Sequence, residues 1–382
     1  MRKKVIFFAV NFLTLWLIYN IILNKDFSYA ILKVKPQEKI LIVAPHPDDE
    51  LLAAGGLLTQ AKEKRAKIAV VYLTAGDGFT QAVEVNYKVL KPKTVDYINF
   101  GRLRINESFE VKKYLNIDRI YHLTYPDGYL KTVLFQYYDT PFTSPDTGFN
   151  AQSYPESYKP GQPFTGKNLI ENLEEIVKKE QPDIVVFPSV LDNHPDHSFG
   201  GFATSVALRK IGYQGKTYTY LVHSYFWPNY GKQFKLPRVL TENKLKFTVI
   251  SLNDFEHAKK AQALALYRSQ RKVIGAFMQL FAKEDEVFLP ESSTANTGWQ
   301  HGSNILHVQV FADKVFLSFA KNQQDKLVIS GYNLQTGKTF RIVKNVNATE
   351  QNFTFPLEGH GIFIIESFKG KKISNKTLPF NY

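Results

Sequence analysis

The sequence predicts an α/β fold in which helices cover both faces of a mainly parallel sheet, followed by a small C-terminal β-rich domain or extension. Short, continuous apolar runs alternate with helical segments up to about residue 290, as parallel strands buried on both faces require. After about residue 300 the pattern changes to alternating apolar and polar residues separated by hairpin-like turns. We therefore expect an α/β unit at residues 38–290 and a β-rich unit at residues 300–382.

The individual elements follow from these patterns in chain order. Strands are expected at residues 40–44, 68–74, 119–123 and 183–188, with a β-rich run at 217–226 and C-terminal strands at 306–311, 326–330 and 361–365. Helices are expected at residues 49–64, 101–115, 167–179, 197–211 and 253–281. Residues 132–166 interrupt the alternation, and a loop of this length in a compact domain is typical of a binding loop or a lid.

The composition restricts the chemistry that this chain can perform. The 382 residues contain no cysteine, which excludes disulfides, thiolate metal sites and cysteine nucleophiles, so a metal must bind to His, Asp or Glu. The net charge of +13 favours an acidic partner, or reflects lysines spread over a solvated surface. No basic block interleaved with aromatic residues or zinc-finger pattern is present, so we expect no nucleic-acid partner.

The N-terminus has the pattern of a membrane-targeting segment. The cationic residues 2–4 precede residues 5–23, which carry no charge and would span about 29 Å as a helix. Positive charge ahead of the apolar run favours an N-terminus inside the cell and a chain outside. Ser28 and Ala30 offer the small residues of a signal-peptidase site. Residues 1–30 are thus predicted to be a retained anchor or a cleaved signal peptide, with a buried core helix as the remaining alternative, and the rest of the chain to be extracytoplasmic.

Two polar clusters follow predicted strands, at residues 44–50 and 192–197. Open α/β sheets bind ligands beyond the carboxyl ends of their strands, so both clusters are expected at one site. A hydrolytic zinc ion needs three nitrogen or oxygen ligands, which His46, Asp49 and His197 can supply. Taken alone, the acidic run after the first strand is equally typical of a helix N-cap, but the two clusters together favour a metal site.

The remaining residues of the two clusters suit the steps of a hydrolysis. Asp48 is next to a predicted ligand and is free to take a proton from water and pass it to a departing amine. His194 is placed to stabilise the oxyanion of a tetrahedral intermediate, and Asp196 to hold the His194 ring and its charge state.

With these motifs the sequence resembles the PIG-L/LmbE-like N-acetylglucosaminyl deacetylases over roughly residues 38–290. The resemblance implies a zinc-binding, Rossmann-like α/β fold, with His46, Asp49 and His197 as zinc ligands and Asp48 as the general base. It also implies that His194 stabilises charge and that Asp196 is the partner of its ring. Some relatives place a Tyr just upstream of the second cluster, where this chain has residues 191–193, Leu-Asp-Asn.

The resemblance extends to residues that would bind the sugar. Family-like segments occur at residues 104–107, 126–128 and 267–270, and Arg104 and Asp127 match positions that hold sugar hydroxyls in relatives, although Arg102 competes with Arg104 for that match. The expected reaction is zinc-dependent hydrolysis of the N-acetyl group of an N-acetylglucosamine-like sugar, in a cell-surface polysaccharide or glycolipid. The alternative is a carbohydrate-binding protein in which the β-rich unit carries the function and the metal site is vestigial.

Overall fold

A computed structural model describes most of the chain from Tyr29 onwards. The described residues are 29–224, 227–235, 247–291, 298–300, 305–311, 314–319, 325–347, 352–369, 372–377 and 379–381. The predicted anchor or signal segment therefore lies outside the described residues, apart from its last two. Within the described ranges, no helix has the length and apolar character that a membrane crossing requires.

The secondary structure alternates as predicted and then becomes purely β-type. The strands are β1 Tyr29–Ile31, β2 Lys39–Ala44, β3 Lys67–Thr74, β4 Arg119–Tyr125, β5 Ile184–Pro188, β6 Lys216–Tyr220, β7 Phe247–Ser251, β8 Asp285–Phe288, β9 Gly298–Gln300, β10 Ile305–Phe311, β11 Lys314–Phe319, β12 Lys326–Asn333, β13 Lys338–Asn345, β14 Asn352–Pro356, β15 Gly361–Lys369, β16 Lys372–Thr377 and β17 Phe380–Asn381. The helices are α1 Asp49–Glu63, α2 Thr80–Tyr87, α3 Thr94–Leu115, α4 Leu130–Gln136, α5 Gly166–Glu180, α6 Pro195–Lys210, α7 Asp254–Leu264 and α8 Arg268–Gln279.

Five parallel strands form the central sheet, in the order β4-β3-β2-β5-β6. Every residue of β5 is buried, because helices cover the sheet, and this explains why its sequence is a continuous apolar run. The chain moves outward from β2 through β3 to β4 and then returns to the other side of β2 with β5. The strand order thus reverses between β2 and β5, which is where doubly wound sheets bind their ligands. The predicted α/β class is confirmed.

Some boundaries differ from the prediction for physical reasons. The helix expected at residues 101–115 begins at Thr94, and the single helix expected at 253–281 is two helices separated by Ala265–Tyr267. The interrupting segment 132–166 begins inside α4. Its remainder packs on the central sheet, where the backbone NH of Tyr158 donates to the carbonyl of His122 at 2.7 Å. Tertiary contacts of this kind are not visible in a local sequence pattern.

The C-terminal strands form two packed sheets, which we call the C-terminal sandwich. One sheet has the order β13-β12-β15-β16-β9 with β17 beside β15, and the other has the order β10-β11-β14. Phe363 and Ile365 of β15 point into the interior between the two sheets, while Ile362 and Ile364 join the core of the α/β unit. Residues 361–365, the first part of strand β15, are continuously apolar because both faces of the strand are buried there. The predicted β-rich region is confirmed, whereas its independence as a domain stays a prediction.

Polar contacts also join the sandwich to α4 and the turn that follows it. The Lys131 ammonium lies 2.8 Å from the Glu366 carboxylate, whose side chain is fully buried. The Tyr138 hydroxyl donates to the carbonyl of Gly337 at 2.6 Å, and the Thr339 hydroxyl donates to the carbonyl of Leu134 at 2.8 Å. The sandwich is therefore fixed against the α/β unit by directional contacts as well as by apolar packing.

Helix α1 is interrupted at Ala54, whose backbone is not helical. The Glu286 carboxylate accepts from the backbone NH groups of Gly56 and Leu57 at 2.6 and 2.8 Å, so it caps the second half of the helix. The ammonium of Lys260 lies 2.7 Å from the same carboxylate, and both side chains are buried. A Cβ on Gly55 would come within 2.9 Å of the Lys260 side chain, so the glycine pair serves close packing, as its sequence context indicates.

Candidate active site

The loops after β2 and β5 bring the two predicted clusters together at the reversal of strand order. Asp48 is the N-cap of α1 and has a φ of 131°, a strained conformation for a residue with a side chain. The carboxylate of Glu50 accepts from the backbone NH of Asp48 at 3.0 Å and helps to hold this turn. The strain is therefore located at the residue predicted to be the general base.

His46, Asp49 and His197 form a compact group that can hold a metal ion. One ligand atom of each lies within 4.8 Å of the others, and all three residues are buried. Oδ2 of Asp49 is 3.0 Å from Nδ1 of His46 and 3.1 Å from Nε2 of His197. Both ring nitrogens of His197 are buried, and neither has a well-aligned hydrogen bond within the described residues although Asp49 is close, as expected of a ring that binds a further ligand. Two imidazoles and one carboxylate are the donor set of hydrolytic zinc sites.

Asp192 supports this group in a way that the sequence did not reveal. Its Oδ2 lies 3.4 Å from Nδ1 of His197 and accepts from the backbone NH groups of Val222 and His223 at 2.8 and 3.0 Å. Burial alone would raise the pKa of Asp192, but the charge of His197 and these hydrogen bonds hold that pKa at about 2. A carboxylate behind a metal-binding imidazole fixes the ring and strengthens it as a ligand. The feature of the sequence that could have indicated this role is the position of Asp192, two residues before His194.

The Asp48 carboxylate lies at the cavity next to the predicted ligands. Burial raises its pKa to about 7, and the guanidinium of Arg104, 3.2 Å away, opposes that rise. A group that gains and loses a proton near neutral pH suits general acid–base catalysis. Position and electrostatics thus agree with the predicted role of Asp48.

Arg104 occupies the cavity wall, whereas Arg102 is exposed and does not contribute to that wall. Besides contacting Asp48, the Arg104 guanidinium donates to the carbonyls of Gly76 and Pro47 at 2.9 and 2.5 Å. Arg104 therefore also fixes two loops at the site, in addition to the sugar contact predicted for it.

Asp127 lies on the same wall. Its Oδ1 is 3.0 Å from Nε2 of His46, and its Oδ2 accepts from the backbone NH of Gly78 at 2.8 Å. Burial works to raise the pKa of Asp127, but the neighbouring His46 ring holds that pKa below its usual range. Asp127 is thus an ionised acceptor at the cavity, as a residue that binds sugar hydroxyls should be.

His194 and Asp196 contact each other differently from the prediction. Nδ1 of His194 accepts from the backbone NH of Asp196 at 3.2 Å, which caps helix α6. The Asp196 carboxylate instead accepts from the backbone NH groups of Gly128 and Leu130 at 2.5 and 3.1 Å. Burial and the nearby His46 and His197 rings lower the pKa of His194, so its neutral ring carries the proton on Nε2. A donor for a developing oxyanion is thereby available.

The cavity has a volume of about 550 Å³, within the range of small-molecule sites. One wall is the polar group just described, and the facing wall is apolar. That wall consists of Leu52, Phe79, Ile274 and Phe277. His223 and Gln270 also line the cavity. The sequence did not single out these residues for the cavity wall, because they come from distant segments and carry no local motif.

Comparison with known proteins agrees with this geometry. Residues 41–208 match the model of the PIG-L family, described as GlcNAc-PI de-N-acetylase. None of the curated proteins matches the sequence.

Solved structures with a similar fold have low sequence identity to this chain. The A40926 pseudoaglycone deacetylase Dbv21 is 18% identical, with a TM-score of 0.45 over 66% of this chain and 97% of that one. The N,N'-diacetylchitobiose deacetylase from Pyrococcus horikoshii is 19% identical, with a TM-score of 0.39 over 66% and 82%. The 4-carboxy-2-hydroxymuconate hydratase GalB from Pseudomonas putida is 14% identical, with a TM-score of 0.38 over 64% and 82%.

The site and the family match together define a hydrolytic deacetylase that depends on a metal and acts on N-acetylglucosamine-like amino sugars. Residues 41–208 match the PIG-L family model, and this match confirms the resemblance drawn from the motifs.

Proposed function

We propose that this protein is a zinc-dependent deacetylase of an N-acetylglucosamine-like sugar in an extracytoplasmic glycoconjugate or polysaccharide. The observation that carries the proposal is the convergence of Asp48 with His46 and Asp49 at one cavity, with His197 buried directly behind them. The absence of cysteine and the His₂Asp donor set favour zinc.

The residues divide the reaction between them. When bound, zinc supplies Lewis-acid polarisation of the amide carbonyl and lowers the pKa of water. Asp48 removes a proton from the attacking water and later delivers it to the amide nitrogen as the C–N bond breaks, giving acetate and a free amine. Nε2–H of His194 donates to the carbonyl oxygen as negative charge develops there. Arg104 keeps the Asp48 carboxylate oriented through their 3.2 Å contact.

The first test separates Asp48 from the metal ligands. Asp48→Asn in the full-length protein should retain its zinc and lose about 10²-fold or more in kcat for acetate release, because the amide cannot accept the proton. His197→Ala should lose most of its zinc by elemental analysis. Asp118→Asn, at the opposite end of the central sheet, is the matched control and should keep both zinc and activity.

Three outcomes would contradict the assignment. Loss of zinc in Asp48→Asn would mean that the two aspartates exchange roles, and unchanged zinc in His197→Ala would remove that residue from the ligand set. Acetate release should be measured on monosaccharide, glycolipid and cell-surface polymer substrates. If the wild-type protein releases acetate from none of them, the alternative of a carbohydrate-binding protein with a vestigial site gains support.

The extracytoplasmic location rests on the charge pattern of the N-terminal segment and on strand β1. Tyr29 and Ala30 pair in parallel with Phe247 and Thr248 of β7. Cleavage after Ala30 would remove two of the three residues of β1, so this pairing favours an uncleaved anchor over a signal peptide. Each deacetylation of a surface polymer would convert a neutral amide into an amine that is charged near neutral pH.

The location can be tested in intact cells. Protease added from outside should degrade the protein, and its mass in the membrane fraction should correspond to the full-length chain. Protection together with a cytoplasmic marker would show that the orientation is wrong. A shortened protein in the medium would show that the signal is cleaved.

A further inference from the structure

His223 is a partly buried residue beside the predicted metal ligands that has no role in the reaction described above. It follows strand β6, and its backbone NH donates to the Asp192 carboxylate that also faces His197. Its ring centroid lies 4.8 Å from that of His197 and 5.1 Å from that of His194. The His223 ring therefore lines the part of the cavity next to His194 and His197.

The orientation of the ring is set by its neighbours. Phe277 stacks on one face of it, with centroids 5.6 Å apart and an angle of 9° between the planes. The His197 ring meets it nearly edge-on, at 84°. Since the backbone is held by Asp192 and the ring lies against Phe277, the remaining free edge of His223 faces the cavity that it lines.

The His223 ring is partly exposed and lines the cavity. Its nitrogens are therefore placed where a molecule bound in the cavity can form a hydrogen bond with them. A neutral imidazole offers one N–H donor and one acceptor.

We infer that His223 is a further catalytic residue, which donates a hydrogen bond to the carbonyl oxygen of the substrate's acetyl group beside His194. This inference rests on the proposed deacetylase function. The hydrogen bond strengthens as the oxygen gains negative charge, so it contributes mainly to the transition state. Phe277 then acts as a positioning residue, because it holds the plane of the donating ring.

The experiment compares two substitutions in the full-length, zinc-loaded protein. His223→Phe keeps a flat ring against Phe277 and removes the donor, so kcat should fall by about 10²-fold while KM changes less than about threefold. His223→Gln keeps an N–H donor, so its kcat should be at least about fivefold higher than that of His223→Phe. His360→Phe, an exposed histidine of the C-terminal sandwich, is the matched control and should be unaffected.

Two measurements that do not depend on turnover accompany the kinetics. Zinc content and melting temperature should be the same in His223→Phe as in the wild type. Binding of a glucosamine analogue with a methylphosphonyl group in place of the acetyl group should weaken by about the same factor as kcat/KM, because its tetrahedral oxygens resemble the transition state.

The possible results separate the two proposals. An active wild-type enzyme with unchanged kcat and unchanged analogue binding in His223→Phe would overturn the inference and leave the deacetylase function intact. A loss confined to KM, or equal losses in the Phe and Gln variants, would also overturn it. If the wild-type protein neither releases acetate nor binds the analogue, the proposed function itself fails and the inference fails with it.

Discussion

The α/β unit and the C-terminal sandwich differ in how many charged side chains they bury. The α/β unit buries many carboxylates and imidazoles and gathers most of them where the strand order of the central sheet reverses. In the described part of the sandwich, Glu366 is the buried charged side chain, and it pairs with Lys131 of the α/β unit. The interior between the sandwich sheets is built from apolar residues such as Phe363 and Ile365.

This difference indicates which region performs the chemistry. Burying a charged group costs free energy unless it is paired, so clusters of buried charged groups are expected where function requires them. The sandwich follows the alternation of an ordinary β-protein and contributes packing to the central core. The α/β unit contains a strained Asp48 and His197 nitrogens that have no well-aligned hydrogen bond within the described residues. We therefore place the reaction in the α/β unit, with the sandwich as its support.

The largest expected effect comes from breaking a buried charge pair that is remote from the reacting centre. Lys260→Met removes the partner of Glu286 and should lower the free energy of unfolding by about 3–5 kcal/mol, because an unpaired charge remains buried. Urea denaturation followed by circular dichroism measures the loss. Lys259→Met, at the partly buried neighbouring lysine, should change stability by less than about 1 kcal/mol. Equal losses in both variants would show that buried charge is not what stabilises the interrupted helix α1.

A smaller effect is expected where the two regions meet. Lys131→Met removes the 2.8 Å contact with the buried Glu366 and should cost about 1.5–3 kcal/mol of stability, the usual value for a hydrogen bond to a charged group. Lys338→Met removes an exposed pair with Asp139, 3.8 Å apart, and should cost less than about 1 kcal/mol. If the Lys131 variant is as stable as the wild type, the pair of Lys131 and Glu366 does not help to hold the sandwich on the α/β unit.

The smallest expected effect is on the zinc affinity of the site, through the carboxylate of Asp192. Asp192→Asn keeps the size of the side chain but removes the negative charge 3.4 Å from Nδ1 of His197. Affinity for zinc should fall by about 10- to 100-fold, measured by competition with a chelator, because the ring loses its orienting partner. Asp139→Asn, an exposed change in the same kind of side chain, should leave the affinity unchanged. An unaltered affinity in Asp192→Asn would limit Asp192 to holding the backbone of residues 222 and 223.

The sequence was sufficient to predict the fold class and the meeting of the two polar clusters at one place, because both depend on local patterns. Apolar runs predicted the strands of the central sheet, and the clusters after β2 and β5 predicted His46, Asp48, Asp49, His194 and His197 at one place. Parallel strands bring their carboxyl ends to one edge, so residues far apart in sequence could be grouped without coordinates. The helix expected at 253–281 was less successful, because a periodic pattern does not show the break at Ala265–Tyr267.

Other features were decided only by the tertiary structure. His223 and Phe277 reach the site through segments whose sequence shows no catalytic motif, and Lys260 meets Glu286 across 26 residues of chain. Asp192 lies in a predicted cluster, but its contact with His197 was visible only in the structure. The actual contact of Asp196, with the backbone of Gly128 and Leu130, depends on the packing of α6 against α4. Local sequence sets the conformation of each segment and the kinds of side chain it carries. Which side chains then meet depends on how the segments pack. Contacts between residues far apart in the chain produce no periodic pattern in the sequence, so they cannot be predicted from it in this way.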